Sequence, residues 1–220
     1  MTTVGTKYKP ATGARKTWLE HMNTSIGFLL LAVVVSFSVS SPASAKSVSL
    51  SRTGQSIDNE LQSLGLFPEM FGAGLIAYNN GNYGRALRIW RPLAQAGHSL
   101  AQYNLGIAYA RGLSVERNML IATYWWERSA LQGHRDASYN LGLVYARGED
   151  EIAQNMVQAA HWWQQAAIRG DAIAQFNLGM MYARGEGVKR DIETAIYWWK
   201  ASANQGFNGA KKMLDQIATN

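Results

Sequence analysis

The stretch AQFNLGMMYARGEGVKRDIETAIYWWKASANQG, residues 174–206, decides the fold, because close relatives of it occur twice more in the same chain. AQYNLGIAYARGLSVERNMLIATYWWERSALQG begins at Ala101 and ASYNLGLVYARGEDEIAQNMVQAAHWWQQAAIRG at Ala137. The spacing is 36 and then 37 residues, and a degenerate restart at Ala210 follows after another 36. Self-similarity at such a period marks an array in which each unit buries its apolar face against its neighbours. The one-residue difference falls between Gly148 and Trp162, in GEDEIAQN. It places a loop there, since loops absorb insertions without disturbing packing.

Each unit reads as a helix hairpin. Helix A is closed by Arg111 and Gly112, by Arg147 and Gly148, or by Arg184 and Gly185; arginine complements the helix C-terminus and glycine relieves the left-handed cap. After the loop, Asn118, Asn155 or Asp191 stands four residues before Ala122, Ala159 or Ala195, and each is a strong N-cap type that starts helix B. Helix B ends at Gly133, Gly170 or Gly206, so helix A spans about three turns and helix B about four. A shorter hairpin, LIAYNNGNYGRALRIWRPLAQAG, precedes these, with Asn82, Ala86, Trp90 and Gly97 in the corresponding places.

The predicted boundaries are a first hairpin over 68–100, repeats over 101–136, 137–173 and 174–209, and a capping helix over 210–220. That last helix, AKKMLDQIATN, has lost the apolar core pattern and shows lysines, as the open end of an array requires. Residues 46–67 read as a serine-rich linker, KSVSLSRTGQS, with a short helix in DNELQSLGLFPEM capping the other end.

Two tryptophans stand side by side in every repeat, and adjacent helical residues point about 100° apart, so no single face can hold both. Trp126 has Ala122 and Ala130 one turn to either side, and Trp163 and Trp199 keep similar small neighbours. With Trp90 they read as core knobs. Trp125, Trp162 and Trp198 then point toward the edge where one repeat meets the next; an aromatic cage for a cationic or sugar ligand is the competing reading. Gly106, Gly142 and Gly179 sit in mid-helix, at a cost of about 1 kcal/mol each relative to alanine. A repeated cost of that kind implies close helix approach around a bulky neighbour.

The first residues are of another kind. Lys7, Lys9, Arg15 and Lys16 precede the apolar run IGFLLLAVVVSFSV, which is followed by SSPASAKS with small residues at Ala43 and Ala45. This is the pattern of a signal peptide over 1–45, cut between Ala45 and Lys46, with export to the periplasm or the medium. The run is short and serine-broken for the roughly 20 apolar residues of a spanning helix, which leaves an uncleaved membrane anchor as the alternative. Met22 offers a second start.

The whole chain carries +6 and a pI near 9.6, but from Lys46 onward 17 basic residues face 14 acidic ones. That balance argues against a nucleic-acid partner. With zero cysteines, an exported chain is held by packing alone.

The pattern AxYNLGxxYARGxGVxxDxxxAxxWWxxAAxxG, fullest at Ala174 to Gly206, resembles the Sel1-like repeat, a longer-looped relative of the tetratricopeptide repeat. The match runs from Leu75 to Ala218. The third unit keeps the GxGV loop as Gly185, Gly187 and Val188, whereas the first has GLSV and the second GEDE. The resemblance implies an all-α, right-handed α-solenoid that binds a protein or peptide on the concave surface lined by helix A. It implies scaffolding or adaptor roles in envelope regulation, assembly or host contact, and neither an active site nor a cofactor.

On a helical wheel the third side of helix A holds Asn104, Ile107 and Arg111, in register with Asn140, Leu143 and Arg147 and with Asn177, Met180 and Arg184. These rows are the candidate binding surface, with asparagine bonding a peptide backbone and arginine its carboxylates. The competing reading has each asparagine bonding a neighbouring helix and each arginine complementing its own helix end. His98 and His134 follow helix-ending glycines and read as loop residues, and His161 replaces a tyrosine. No histidine stands at ligand spacing, and no cysteine nucleophile, GxSxG elbow or phosphate loop is present. An envelope enzyme acting on peptidoglycan or β-lactams, as proposed for cysteine-rich relatives, and a purely structural envelope subunit remain the other readings.

Overall fold

The computed structural model describes residues 65–219; the expected signal peptide, its cleavage site and the linker up to residue 64 lie outside the described residues. Among the described residues the chain is all helix: α1 (Phe67–Asn79), α2 (Tyr83–Gln95), α3 (Ser99–Arg111), α4 (Met119–Leu131), α5 (Arg135–Arg147), α6 (Met156–Ile168), α7 (Ala172–Arg184), α8 (Ile192–Asn204) and α9 (Asn208–Ala218). Each packs chiefly on the helix before it and the helix after it, which is the stacking of an α-solenoid. None is long and apolar enough to cross a membrane.

The caps explain where the helices begin. Asn82, Asn118, Asn155 and Asp191 accept from the backbone N–H of Arg85, Ile121, Gln158 and Thr194 at 3.2, 2.9, 3.0 and 3.1 Å, which starts the even-numbered B helices. The A helices begin two residues earlier than the repeat pattern predicts, at Ser99, Arg135 and Ala172. Their caps are His98, His134 and Asp171, whose side chains accept from Ala101, Ala137 and Ala174 at 3.2, 3.2 and 2.7 Å.

The two histidines are therefore helix caps and not loop residues, because a neutral imidazole Nδ1 offers the acceptor that an asparagine oxygen would. The earlier start makes α1 to α8 equal in length, 13 residues each, in place of the expected three and four turns. The first hairpin, expected over 68–100, runs from Phe67 to Gln95. FPEM is not part of a separate capping helix but the first turn of α1, begun by Pro68, whose missing N–H costs nothing at that position. The final helix starts at Asn208, and Lys211 and Lys212 are exposed on it.

The core answers the tandem tryptophans. Trp126 packs with Met119, Ala122 and Ala130 of its own helix and with Ala137, Leu141 and Val144 of α5. Trp163 packs in the same way with Ala159, Ala166, Ala174, Leu178 and Met181, and Trp199 with Ala195 and Ala210. Trp90 is fully buried. The first tryptophan of the second and third pairs looks backward: Trp162 joins the cluster built by α4 and α5, and Trp198 packs on the one built by α6 and α7. Burial of such a side chain contributes a few kcal/mol, so a B helix is held on two sides.

The mid-helix glycines make room for the knobs. A methyl group built on Gly74, Gly106, Gly142 or Gly179 would lie under 3 Å from the indole of Trp90, Trp126, Trp163 or Trp199. The same approach lets Trp90, Trp126 and Trp199 donate their N–H to the carbonyls of Phe71, Tyr103 and Phe176 at 3.4, 3.2 and 3.2 Å. The buried N–H groups of Trp162 and Trp163 have no acceptor among the described residues.

Candidate protein-binding face

Four A helices in register lay out the rows that the wheel predicted. Arg111, Arg147 and Arg184 close α3, α5 and α7 and are exposed. Arg184 stands 3.8 Å from Glu186, while Arg111 and Arg147 have no ion-pair partner among the described residues. Burial raises the pKa of both Tyr103 and Tyr139; against it, Arg111 favours ionisation of Tyr103 and Arg147 that of Tyr139. Opposing charges also act there, from Asp136 on Tyr103 and Asp171 on Tyr139.

The other two rows are less free. Asn104 donates to the Leu100 carbonyl one turn earlier at 2.8 Å, and Asn140 lies beside Tyr103 of the preceding A helix, where it favours ionisation of the phenol. Asn177 is half-buried. Asn104 is thus committed to its own helix and not, as the alternative had it, to a neighbouring one; Asn140 is the one turned toward a neighbouring hairpin. Ile107, Leu143 and Met180 are half-buried as well, each packed on the core cluster that follows its own A helix. They form the shallow apolar floor of the face, with part of each side chain committed to the seam.

Two contributors were missed in the sequence. Leu75 extends the apolar row onto α1 and is 37% exposed; its signal was Gly74, in register with Gly106. Tyr103 stacks on His134 with ring centroids 4.4 Å apart, a contact between successive hairpins with no signature at short range. Among the described residues no cluster of His, Asp or Glu could hold a metal ion.

The Sel1 repeat family matches the chain three times in succession, at residues 99–134, 135–171 and 172–207. It is a Sel1-repeat protein. The family boundaries start with the helices at Ser99, Arg135 and Ala172. Among solved structures, a Sel1 repeat protein from Oxalobacter formigenes is 32% identical with a TM-score of 0.60, covering 64% of this chain and 57% of its own. A second is c5321, a protective antigen present in uropathogenic Escherichia coli strains displaying an SLR fold. It is 26% identical with a TM-score of 0.64, covering 76% of this chain and 36% of its own. The chain thus spans a little over half of one relative and about a third of the other. No protein of curated function matches it. Sel1 repeats are in general protein–protein interaction modules, and their fold is typically a non-enzymatic scaffold.

Proposed function

We propose that this Sel1-repeat protein is an exported adaptor that binds an acidic segment of a partner protein across the A-helix face. The observation that carries the reading is the row of exposed arginines, Arg111, Arg147 and Arg184, one per repeat, beside the apolar floor of Leu75, Ile107, Leu143 and Met180. An extended chain lying across the A helices would meet one guanidinium per repeat, each able to take a carboxylate in two hydrogen bonds. The apolar floor would seat its intervening side chains. Export rests on the leader pattern over 1–45 and its cut between Ala45 and Lys46, and it places the partner in the cell envelope or outside the cell.

The test has two parts. N-terminal sequencing of the mature chain from fractionated cells is expected to begin at Lys46 in the periplasm or medium; a chain retaining Met1 or Met22 in the membrane fraction would refute export with cleavage. Partner capture by crosslinking in the same fraction, repeated with Arg111, Arg147 and Arg184 changed together to glutamate, is expected to lose the partner. Equal recovery with the folded variant would refute the face.

A further inference from the structure

The three joints at which one repeat meets the next hairpin are comparable position by position, and the middle one is built differently. Where α3 meets α2, buried Gln102 donates its amide to the Ala94 carbonyl at 2.9 Å and accepts from Gln132 at 2.7 Å. Where α7 meets α6, Gln175 repeats the clamp with Ala167 and Gln205 at 3.0 and 2.8 Å. Where α5 meets α4, the corresponding residues are Ser138 and Arg169. The Ser138 hydroxyl donates back to His134 at 3.2 Å and Arg169 donates to Gln165. Among the described residues no side chain donates to the Ala130 carbonyl. Trp162, which fills the apolar core of this joint, has no acceptor for its buried N–H among the described residues.

Beside that apolar core and the Tyr103–His134 stack, the side-chain polar contacts that span the middle joint are exposed. Arg117, in the loop before α4, reaches the Asp150 carboxylate at 2.9 and 2.7 Å and Glu149 at 2.8 Å. The three side chains are 45, 40 and 41% exposed. Both carboxylates sit on the loop that carries the extra residue, turned tightly by paired backbone bonds between Glu149 and Ile152. Glu127 adds a hydrogen bond from the Tyr145 hydroxyl at 3.1 Å. A buried amide clamp is insulated from solvent ions, whereas an exposed ion pair is screened once the Debye length falls to about 3 Å near 1 M salt.

We propose that the α4–α5 joint is the hinge of the solenoid, latched by Arg117 on Glu149 and Asp150: the block α1–α4 and the block α5–α9 hold their shapes while the angle between them changes. The hinge separates Asn104, Ile107 and Arg111 from Asn140, Leu143 and Arg147, so its angle sets the spacing of the first two rungs of the A-helix face. It rests on the chemistry of the joints and stands whether or not that face binds a partner.

The chain's lack of cysteine makes the test direct. Spin labels on Arg88→Cys of α2 and Lys200→Cys of α8 report across the joint, and labels on Gln164→Cys and Lys200→Cys report within the second block. Distances are recorded at about 50 mM and about 1 M NaCl, where screening differs most. The releasing variant is Arg117→Gln, because Gln154 in the same register already replaces the arginine bond to the end of helix A, donating to Ala146 at 2.7 Å. The locking variant is Ser138→Gln with Arg169→Gln.

The expected result is a cross-joint distribution that broadens in high salt and in Arg117→Gln, with the within-block pair unchanged. Amides of the first two turns of α5 then exchange at least tenfold faster than those of α7, and the locking pair suppresses both effects. A cross-joint distribution that stays narrow in the unaltered chain at high salt and in Arg117→Gln would overturn the hinge. Equal broadening of the within-block pair would overturn it as well.

Discussion

At Gly106 and Gly142 an added methyl group meets the indole of Trp126 or Trp163 under 3 Å away. Alanine at either site gains about 1 kcal/mol of helix propensity and loses more to overpacking, about 1–3 kcal/mol in a well-packed core. The buried indole must shift to admit the methyl group, so the net expectation is a destabilisation of up to about 2 kcal/mol, read by urea unfolding. Gly72, on the same helix as Gly74 but with nothing within 4 Å of an added Cβ, is the control: Gly72→Ala is expected to stabilise by up to about 1 kcal/mol. A destabilising Gly72→Ala would show that space around the tryptophan is not what decides these positions.

His98 and His134 supply a residue-scale prediction for pH. Burial pushes both below the ordinary value of 6.5, with Asp136 opposing and Arg135 adding to the effect at His134. Each must be neutral at Nδ1 to cap its helix, and an imidazolium at a helix N-terminus also opposes the dipole. The unfolded chain binds protons more readily at these sites, so stability is complete above 6.5 and falls as pH drops through that value toward the lower folded one. The melting temperature is expected to decline between about pH 7 and 5, and His98→Asn with His134→Asn to flatten that decline. An unchanged slope in the double variant would assign it to other groups.

At the scale of the elements, the loops show how one unit rests on the last. Gly187, at φ +69, lies against the backbone of Met156 and Val157 at the start of α6, so an added Cβ has neither conformation nor room. Ser114 and Asp150 hold the corresponding loop places at φ 55 and 52, and Ser114 lies beside Gly84, so the space missing at one loop is supplied there by glycine on the helix opposite. Gly187→Ala is expected to cost at least about 2 kcal/mol from backbone strain and clash together, measured as a lower unfolding midpoint. Gly206→Ala, strained at φ +89 but with open space, is expected to cost only the strain, about 1 kcal/mol.

Much of this level was legible in the chain. The period, the B-helix caps and the glycine–tryptophan pairs are carried by residue types whose physical meaning does not depend on distant partners. The histidine caps were not, because imidazole caps a helix only in one tautomer and only where packing fixes its ring, here against Phe71 or Tyr103. The missing clamp at Ser138 was hidden too: its meaning lies in Gln102 and Gln175 bonding residues 30 positions away.

For the molecule as a whole, the stacked A helices leave one face on which Arg111, Arg147 and Arg184 repeat without the hydrogen bond that ties Asn104 to its own helix. The wheel placed all three rows on that face, and packing then separated them: the apolar row is half spent on the seams, while the arginines remain exposed. Nothing in a single helix pattern reveals that division, since it depends on how far the next hairpin covers each row. The central claim is that this arginine row recognises acidic protein, and the affinity of a crosslinked partner for the chain with Arg111, Arg147 and Arg184 changed to glutamate tests it most directly. Three charge-assisted contacts at about 1 kcal/mol each predict a loss of about a hundredfold, with a shallower salt dependence and an unchanged melting temperature. Affinity that is retained in this variant, or that falls instead when Arg88 and Lys200 on the B helices are reversed, would contradict the account.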